Sequence, residues 1–230
     1  MSKLRVLCLH GHRQSGEKLR GRMAAFRRTF KSSVDFVFVD APIVVPYEPT
    51  TEEHAAKLEQ GDIDQDEVRQ FSWCNFRRDE VTGKFELFDV DETIEYLAQV
   101  VREQGPFDGV FGFSQGGVMA SMLLQLQQSK KPDLPFNFSF GIFVAAACVD
   151  DPRYVFTTEQ LGFPSLHMIG ETDAVVIPER SHKLVGLFEN PTVLEHPGGH
   201  YIPANKEPKD AMRAFIKGMQ TLVEKNAGTA

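Results

Sequence analysis

Gly109-Val110-Phe111-Gly112-Phe113-Ser114-Gln115-Gly116-Gly117 sets a G-x-S-x-G pattern between two apolar stretches of different period. The residues before Ser114 read as a short buried strand. Those after it, with Val118, Met119, Met122 and Leu123, read as a helix. Strand, tight turn and helix are the context a nucleophile elbow requires, with the serine hydroxyl lifted above the sheet edge. Gly112 and Gly116 lack a Cβ, so strand and helix can approach closely, and Gly117 extends that clearance. Ser114 then sits at a helix N-terminus, where the dipole favours a developing negative charge.

Working outward, short β-rich runs recur at residues 4–9, 34–39, 109–113, 138–144, 165–169 and 192–195. Several are apolar on both faces, as strands of a parallel sheet covered by helices must be. Helical patterns fall between them at 91–104, 115–128, 179–188 and 207–224. Alternating strands and helices predict an α/β fold, with about six mostly parallel strands and helices on both faces. The region 46–84 breaks the rhythm. It is polar and acidic, opens with Pro46 and Pro49, and holds the sole tryptophan, Trp73, between Phe71 and Phe76. The expectation is one α/β domain over residues 1–230 with a cap-like insertion at about 46–84.

Bulk properties narrow the function. The 230 residues carry 42% hydrophobic and 25% charged side chains, ordinary values for a globular protein. A formal net charge of -7 argues against a nucleic-acid partner. The basic stretch at 20–28 reads as the solvated face of an amphipathic helix. Three scattered cysteines, Cys8, Cys74 and Cys148, form neither a disulfide framework nor a metal pattern. The first apolar run is too short for a signal peptide, and no stretch reaches membrane-spanning length. The expected location is the cytoplasm, or cytoplasm and nucleus, and no cofactor is called for.

A serine hydroxyl needs a base within hydrogen-bond reach, and in this class of fold the chain order is nucleophile, acid, histidine. Four histidines follow Ser114. His167 lies inside an apolar strand and reads as core. His182 lies on a helix and reads as solvent-facing. His196 ends the last strand, and His200 follows the flexible Pro197-Gly198-Gly199 turn. His200 is the candidate base, with His196 in reserve. The acid is expected after strand 165–169, where Glu171 and Asp173 both stand. Asp173 precedes the apolar Ala174-Val175-Val176 and is preferred; Asp150 and Asp151 are a further alternative. The oxyanion donors are expected from the backbone N–H groups of Gln115 and His12. His10 is read as a structural hydrogen-bonder. Phe113, Trp73, Val175, Val176 and Tyr201 are candidate walls of an acyl pocket.

With these residues in hand, the chain resembles the FSH family of serine hydrolases, which includes the ovarian-cancer-associated esterase-like proteins. The likeness runs through Leu9-His10-Gly11, Gln14-Ser15-Gly16, Asp40-Ala41-Pro42, Gly105-Pro106-Phe107-Asp108-Gly109, the elbow itself, the Asp173 loop and His196-Pro197-Gly198-Gly199-His200. It implies a minimal α/β-hydrolase, with Ser114, Asp173 and His200 as its triad. It also implies carboxylesterase activity, on medium to long acyl chains in some members, and thioester release in others. The implied partner is a small acyl ester or thioester. Two positions depart from the pattern: His12 stands where an aromatic residue is usual, and Gly117 where alanine is common. The rival readings are a ligand-binding protein without catalysis and a cysteine-dependent enzyme using Cys148.

Overall fold

A computed structural model describes residues 3–49, 51–61, 69–131 and 133–227. In chain order the elements are β1 (Leu4–Leu9), α1 (Gly16–Arg22), α2 (Ala24–Thr29), β2 (Val34–Val39), β3 (Ile43–Val45), α3 (Glu52–Gln60), β4 (Gln70–Ser72), β5 (Asn75–Arg78), β6 (Phe85–Phe88) and α4 (Val90–Gln104). They continue with β7 (Gly109–Phe113), α5 (Gln115–Gln128), β8 (Phe140–Val144), β9 (Ser165–Gly170), α6 (Pro178–Val185), β10 (Pro191–His196) and α7 (Lys206–Ala227). Six strands form one sheet in the order β10-β9-β8-β7-β1-β2. Every pairing in it is parallel.

Position in the sheet follows from side-chain character. The central strands β7, β8 and β9 are buried along their whole length. Edge strands β2 and β10 keep polar or exposed positions, such as Asp35 and Glu195, which also discourage edge-to-edge pairing. One face of the sheet is covered by a cluster including Leu97 and Ala98 of α4, Met119 and Leu123 of α5 and Leu184 of α6. The other face is covered by Leu19 of α1, Phe26 of α2, and Met212, Phe215 and Ile216 of α7. Helix α5 is buried nearly all round, as its unbroken apolar composition requires.

The chain leaves β1 toward β2 on one side, then crosses to β7 on the other. The carboxyl ends of β1 and β7 therefore flank the point where strand order reverses, the crevice in which open α/β sheets bind ligands. All six predicted strands and four predicted helices are present. Strand β8 starts two residues later than the pattern suggests, because the Phe138 N–H bonds the Gln127 side chain at 2.8 Å instead of a strand. Helix α6 stops at Val185, and the following turn folds back so that the Leu161 N–H reaches the Leu187 carbonyl at 2.7 Å. The basic stretch forms two short helices hinged at Met23, with Arg20, Arg22 and Arg28 exposed.

The insertion carries more regular structure than its polarity suggests. β3 and β4 form an antiparallel pair, and β5 and β6 form a hairpin, so the paired structure reaches Phe88. Residues 50 and 62–68 of the expected cap lie outside the described residues. Phe71 pairs with Gln14 across an isolated bridge, which fastens β4 to the loop after β1. The Arg13 and Phe71 N–H groups donate to the Phe71 and Gln14 carbonyls, each at 2.9 Å.

Two buried histidines couple the core to pH. His167 stacks on Phe143, its ring edge-on to Phe188, and Nε2 lies 2.9 Å from Ser165 Oγ. Desolvation by burial pushes its pKa down to about 3. His10 is held at about 4, chiefly by the same burial. Both are neutral when folded and take up protons near pH 6.5 when unfolded. The unfolded chain therefore binds more protons between pH 6.5 and 4, and stability falls as pH falls through that window. His167→Phe should flatten this slope by up to about 1.4 kcal/mol per pH unit. Urea unfolding at half-unit pH steps measures it; an unchanged slope would show that His167 is protonated in the folded protein.

Candidate active site

The turn at Ser114 is strained. Ser114 has φ 54° and ψ -121°, a conformation unusual for a residue with a side chain. Its N–H donates to the Val144 carbonyl at 3.0 Å, tying the turn to β8. A Cβ on Gly116 would lie 2.2 Å from the Leu9 carbonyl oxygen, and one on Gly112 would lie 2.3 Å from Gly117 Cα. Those contacts are why the turn can be this tight only with glycine at both positions.

Three loops at the carboxyl ends of β7, β9 and β10 bring Ser114, Asp173 and His200 together. His200 Nε2 lies 3.0 Å from Ser114 Oγ, and its Nδ1 lies 2.7 Å from Asp173 Oδ2. Because the carboxylate can only accept, Nδ1 carries the proton and Nε2 accepts from the serine hydroxyl. Asp173 is buried, and its other oxygen, Oδ1, accepts the N–H groups of Val175 and Val176 at 2.9 Å each. The apolar Ala174-Val175-Val176 turn thus holds the carboxylate through its backbone. Phe113 packs against the His200 ring at 5.1 Å and limits its orientation.

The alternatives lie elsewhere. Glu171 is exposed, and its backbone N–H bonds the His196 carbonyl at 2.8 Å. His196 is buried, its Nδ1 takes the Gly198 N–H at 3.2 Å, and its ring faces Tyr201. Burial lowers its pKa. His182 is half exposed and pairs with Glu195 at 3.1 Å. Asp150 pairs with Arg180, and Asp151 pairs with Arg153 while accepting the Leu87 N–H. Burial raises the Cys148 thiol pKa, the opposite of what an activated thiol needs.

The loop after β1 is braced from both sides. His10 Nδ1 donates to the Gly11 carbonyl at 2.7 Å, and Nε2 accepts the Ala41 N–H at 3.0 Å. Asp40 Oδ1 accepts the Gly16 N–H at 2.7 Å, which accounts for Asp40-Ala41-Pro42 in the sequence pattern. The Gln115 N–H opens α5, where no earlier turn supplies an acceptor. The His12 side chain has Nδ1 3.0 Å from Ser72 Oγ and its ring edge-on to Phe76. Burial and nearby Arg13 lower its pKa.

Two expected pocket walls are corrected here. Trp73 and Phe113 have no exposed surface, because both are packed into the core beneath the site. Trp73 is instead a fastener: Nε1 donates to the His10 carbonyl at 2.7 Å, and its backbone N–H donates to Gln115 Oε1 at 3.0 Å. Val175 and Tyr201 are exposed and Val176 half-buried, around the acid and histidine loops. Sequence reasoning missed the Gln115 side chain, whose Nε2 also donates to the Cys74 carbonyl at 2.9 Å. Its amide clamps the insertion to the elbow across a separation of 41 residues, and local patterns carry no signal for such a contact. Among the described residues no three His, Cys, Asp or Glu side chains gather into a metal-ligand set. No helix among them is long and apolar enough to cross a membrane.

Comparison with known proteins agrees with this architecture. Esterase OVCA2 of Danio rerio is 35% identical over 228 residues, covering 94% of this chain and 98% of that protein. Among solved structures, a carboxylesterase from Mesorhizobium loti superposes with a TM-score of 0.61 at 19% identity, covering 95% of this chain and 90% of that one. SOBER1 of Arabidopsis thaliana gives 0.60 at 18%, covering 95% and 100%. Such distant likenesses establish the α/β-hydrolase fold alone. A model of the serine hydrolase family FSH1 matches residues 1–212, from the first strand into the last helix, and the chain therefore belongs to that family.

Proposed function

We propose that the chain is a carboxylesterase acting by two-step acyl transfer, with Ser114 as nucleophile, His200 as base and Asp173 as the orienting acid. The observation that carries this reading is the continuous hydrogen-bonded run from Ser114 through His200 to Asp173, at 3.0 and 2.7 Å. Ser114 attacks the carbonyl carbon while His200 Nε2 takes its proton. The charge on the carbonyl oxygen is met by the N–H groups of Gln115 and His12. His200 then protonates the leaving group, and an acyl-serine remains. Water, deprotonated by the same imidazole, releases the acid. Asp173 holds the tautomer and stabilises the imidazolium without taking its proton.

Residues 1–230 form one domain in this reading, with 46–84 as a cap whose base is tied to the site by Gln115 and Trp73. A cytoplasmic setting belongs to it too, since three free cysteines suit a reducing compartment. Medium to long acyl chains are the proposed substrates. The test is twofold. An alkyl fluorophosphonate should label Ser114 stoichiometrically. A kcat/KM series over acyl length, with oxygen and sulfur leaving groups, should peak at a medium or long oxygen ester. A peak on the sulfur series instead makes the protein a thioesterase; no labelling makes it a binding protein.

A further inference from the structure

A pocket of about 460 Å³ lies between the β5–β6 hairpin, the Asp173 loop and helix α6. Arg78 and Lys84 reach it from the hairpin, and Arg180 and Lys183 from α6. Arg180 is already neutralised by Asp150 at 2.8 Å, and its guanidinium lies 4.8 Å from the Phe85 ring centre, which joins hairpin to helix. Among the described residues Arg78, Lys84 and Lys183 have no carboxylate partner. The hairpin turn that presents Lys84 is built: Asp79 N–H donates to the Lys84 carbonyl at 2.9 Å, and Thr82 N–H donates to Asp79 Oδ1 at 2.7 Å.

Three uncompensated cations sharing one concavity are unexpected in a chain of net charge -7. Their repulsion is relieved by an anion, and a concave surface concentrates their field. The same pocket has an apolar side, where Val175 and Ile177 are 67% and 46% exposed. Val175 is also fixed to the triad, because its N–H bonds Asp173 Oδ1 at 2.9 Å. The apolar surface therefore starts on the loop that carries Asp173 and leads to the cations. An apolar chain ending in charge fits that order.

We infer that this pocket binds an anionic oxygen group of the substrate, carried on an apolar segment away from the scissile carbonyl. The inference rests on the acyl-transfer reading and names its substrate class: acyl esters or thioesters bearing a carboxylate or a phosphate. A carboxylate would sit at the far end of the acyl chain; a phosphate would sit on the leaving group.

Two substrate series distinguish these sources. The first compares 4-nitrophenyl half-esters of dicarboxylic acids, from succinate to sebacate, with neutral esters of matched length. The second compares acyl thioesters of phosphopantetheine with those of pantetheine. In the series that matches the natural anion, kcat/KM should favour the charged member by about tenfold or more at low salt, as a charge-assisted contact allows. That preference should shrink in about 0.5 M salt, roughly three times physiological ionic strength, as screening requires. The double variant Lys84→Gln, Lys183→Gln should lose the preference, and Lys84→Arg, Lys183→Arg should keep it. No preference in either series, or one that survives the glutamine variant, overturns the inference. Preference in the neutral direction overturns it too. Wild-type protein that labels with a neutral fluorophosphonate yet shows no charged preference leaves the esterase reading standing. Protein that neither labels nor hydrolyses any ester removes both.

Discussion

Ser114→Ala is expected to lower kcat for a 4-nitrophenyl ester by about 10⁴ to 10⁶-fold, the scale on which serine hydrolases lose activity when a triad member is removed. The change should leave the fold intact. The Ser114 N–H, which holds the elbow to Val144, belongs to the backbone and survives the substitution. The hydroxyl makes one hydrogen bond, to His200 Nε2, at a site that is only half-buried. Its loss should shift unfolding free energy by about 1 kcal/mol or less. Burst kinetics, intact-protein mass after fluorophosphonate treatment and urea unfolding check the three parts. A variant that kept more than about a tenth of wild-type activity would show that Ser114 is not the nucleophile.

Asp173→Asn should cost about 10⁴ in kcat, and the geometry says why. The carboxylate uses Oδ1 for two backbone N–H groups and Oδ2 for His200 Nδ1. In the asparagine variant the amide oxygen keeps the two N–H bonds, which leaves the amide NH₂ facing His200. That donor demands an acceptor, so Nδ1 loses its proton and Nε2 gains one. Nε2 can then no longer accept from the serine. Glu171→Gln should stay within about tenfold, because an exposed carboxylate is screened by solvent. The kcat/KM ratio of the two variants is the measurement. Nearly full activity in Asp173→Asn with a dead Glu171→Gln would transfer the orienting role to Glu171.

The two predictions depend on the sequence to different degrees. Ser114 announced itself locally: an apolar strand, a glycine on each side and a helical run can be read within nine residues. Its φ of 54° belongs to that turn, and the missing Cβ atoms of Gly112 and Gly116 let the turn close against its neighbours. Asp173 could be proposed only from chain order, since Glu171 stands in the same loop. Burial separated them, and burial depends on how the loop after β9 packs against the His200 loop.

The insertion shows where local reading stops. Its polarity and its aromatic trio suggest a cap, with Trp73 as a wall of the pocket. In the fold Trp73 is buried, bonded to the His10 carbonyl and to the Gln115 amide oxygen. An indole satisfies its N–H wherever a carbonyl is brought near, and no periodicity reports which one. The sequence pattern assigns Gln115 a part through its backbone alone, yet its side chain joins the elbow to Ser72, Trp73 and Cys74.

By itself, then, the sequence determined the six-stranded α/β architecture, the serine at its sharpest turn and the histidine after its last strand. These are written in hydrophobic period and glycine placement, which act over a few residues. Only the tertiary structure decided which carboxylate meets His200, what Trp73 does, and that Arg78, Lys84 and Lys183 share one pocket. Those outcomes depend on contacts between residues far apart in the chain, and such contacts exist only once parallel strands have brought their carboxyl ends to one edge of the sheet.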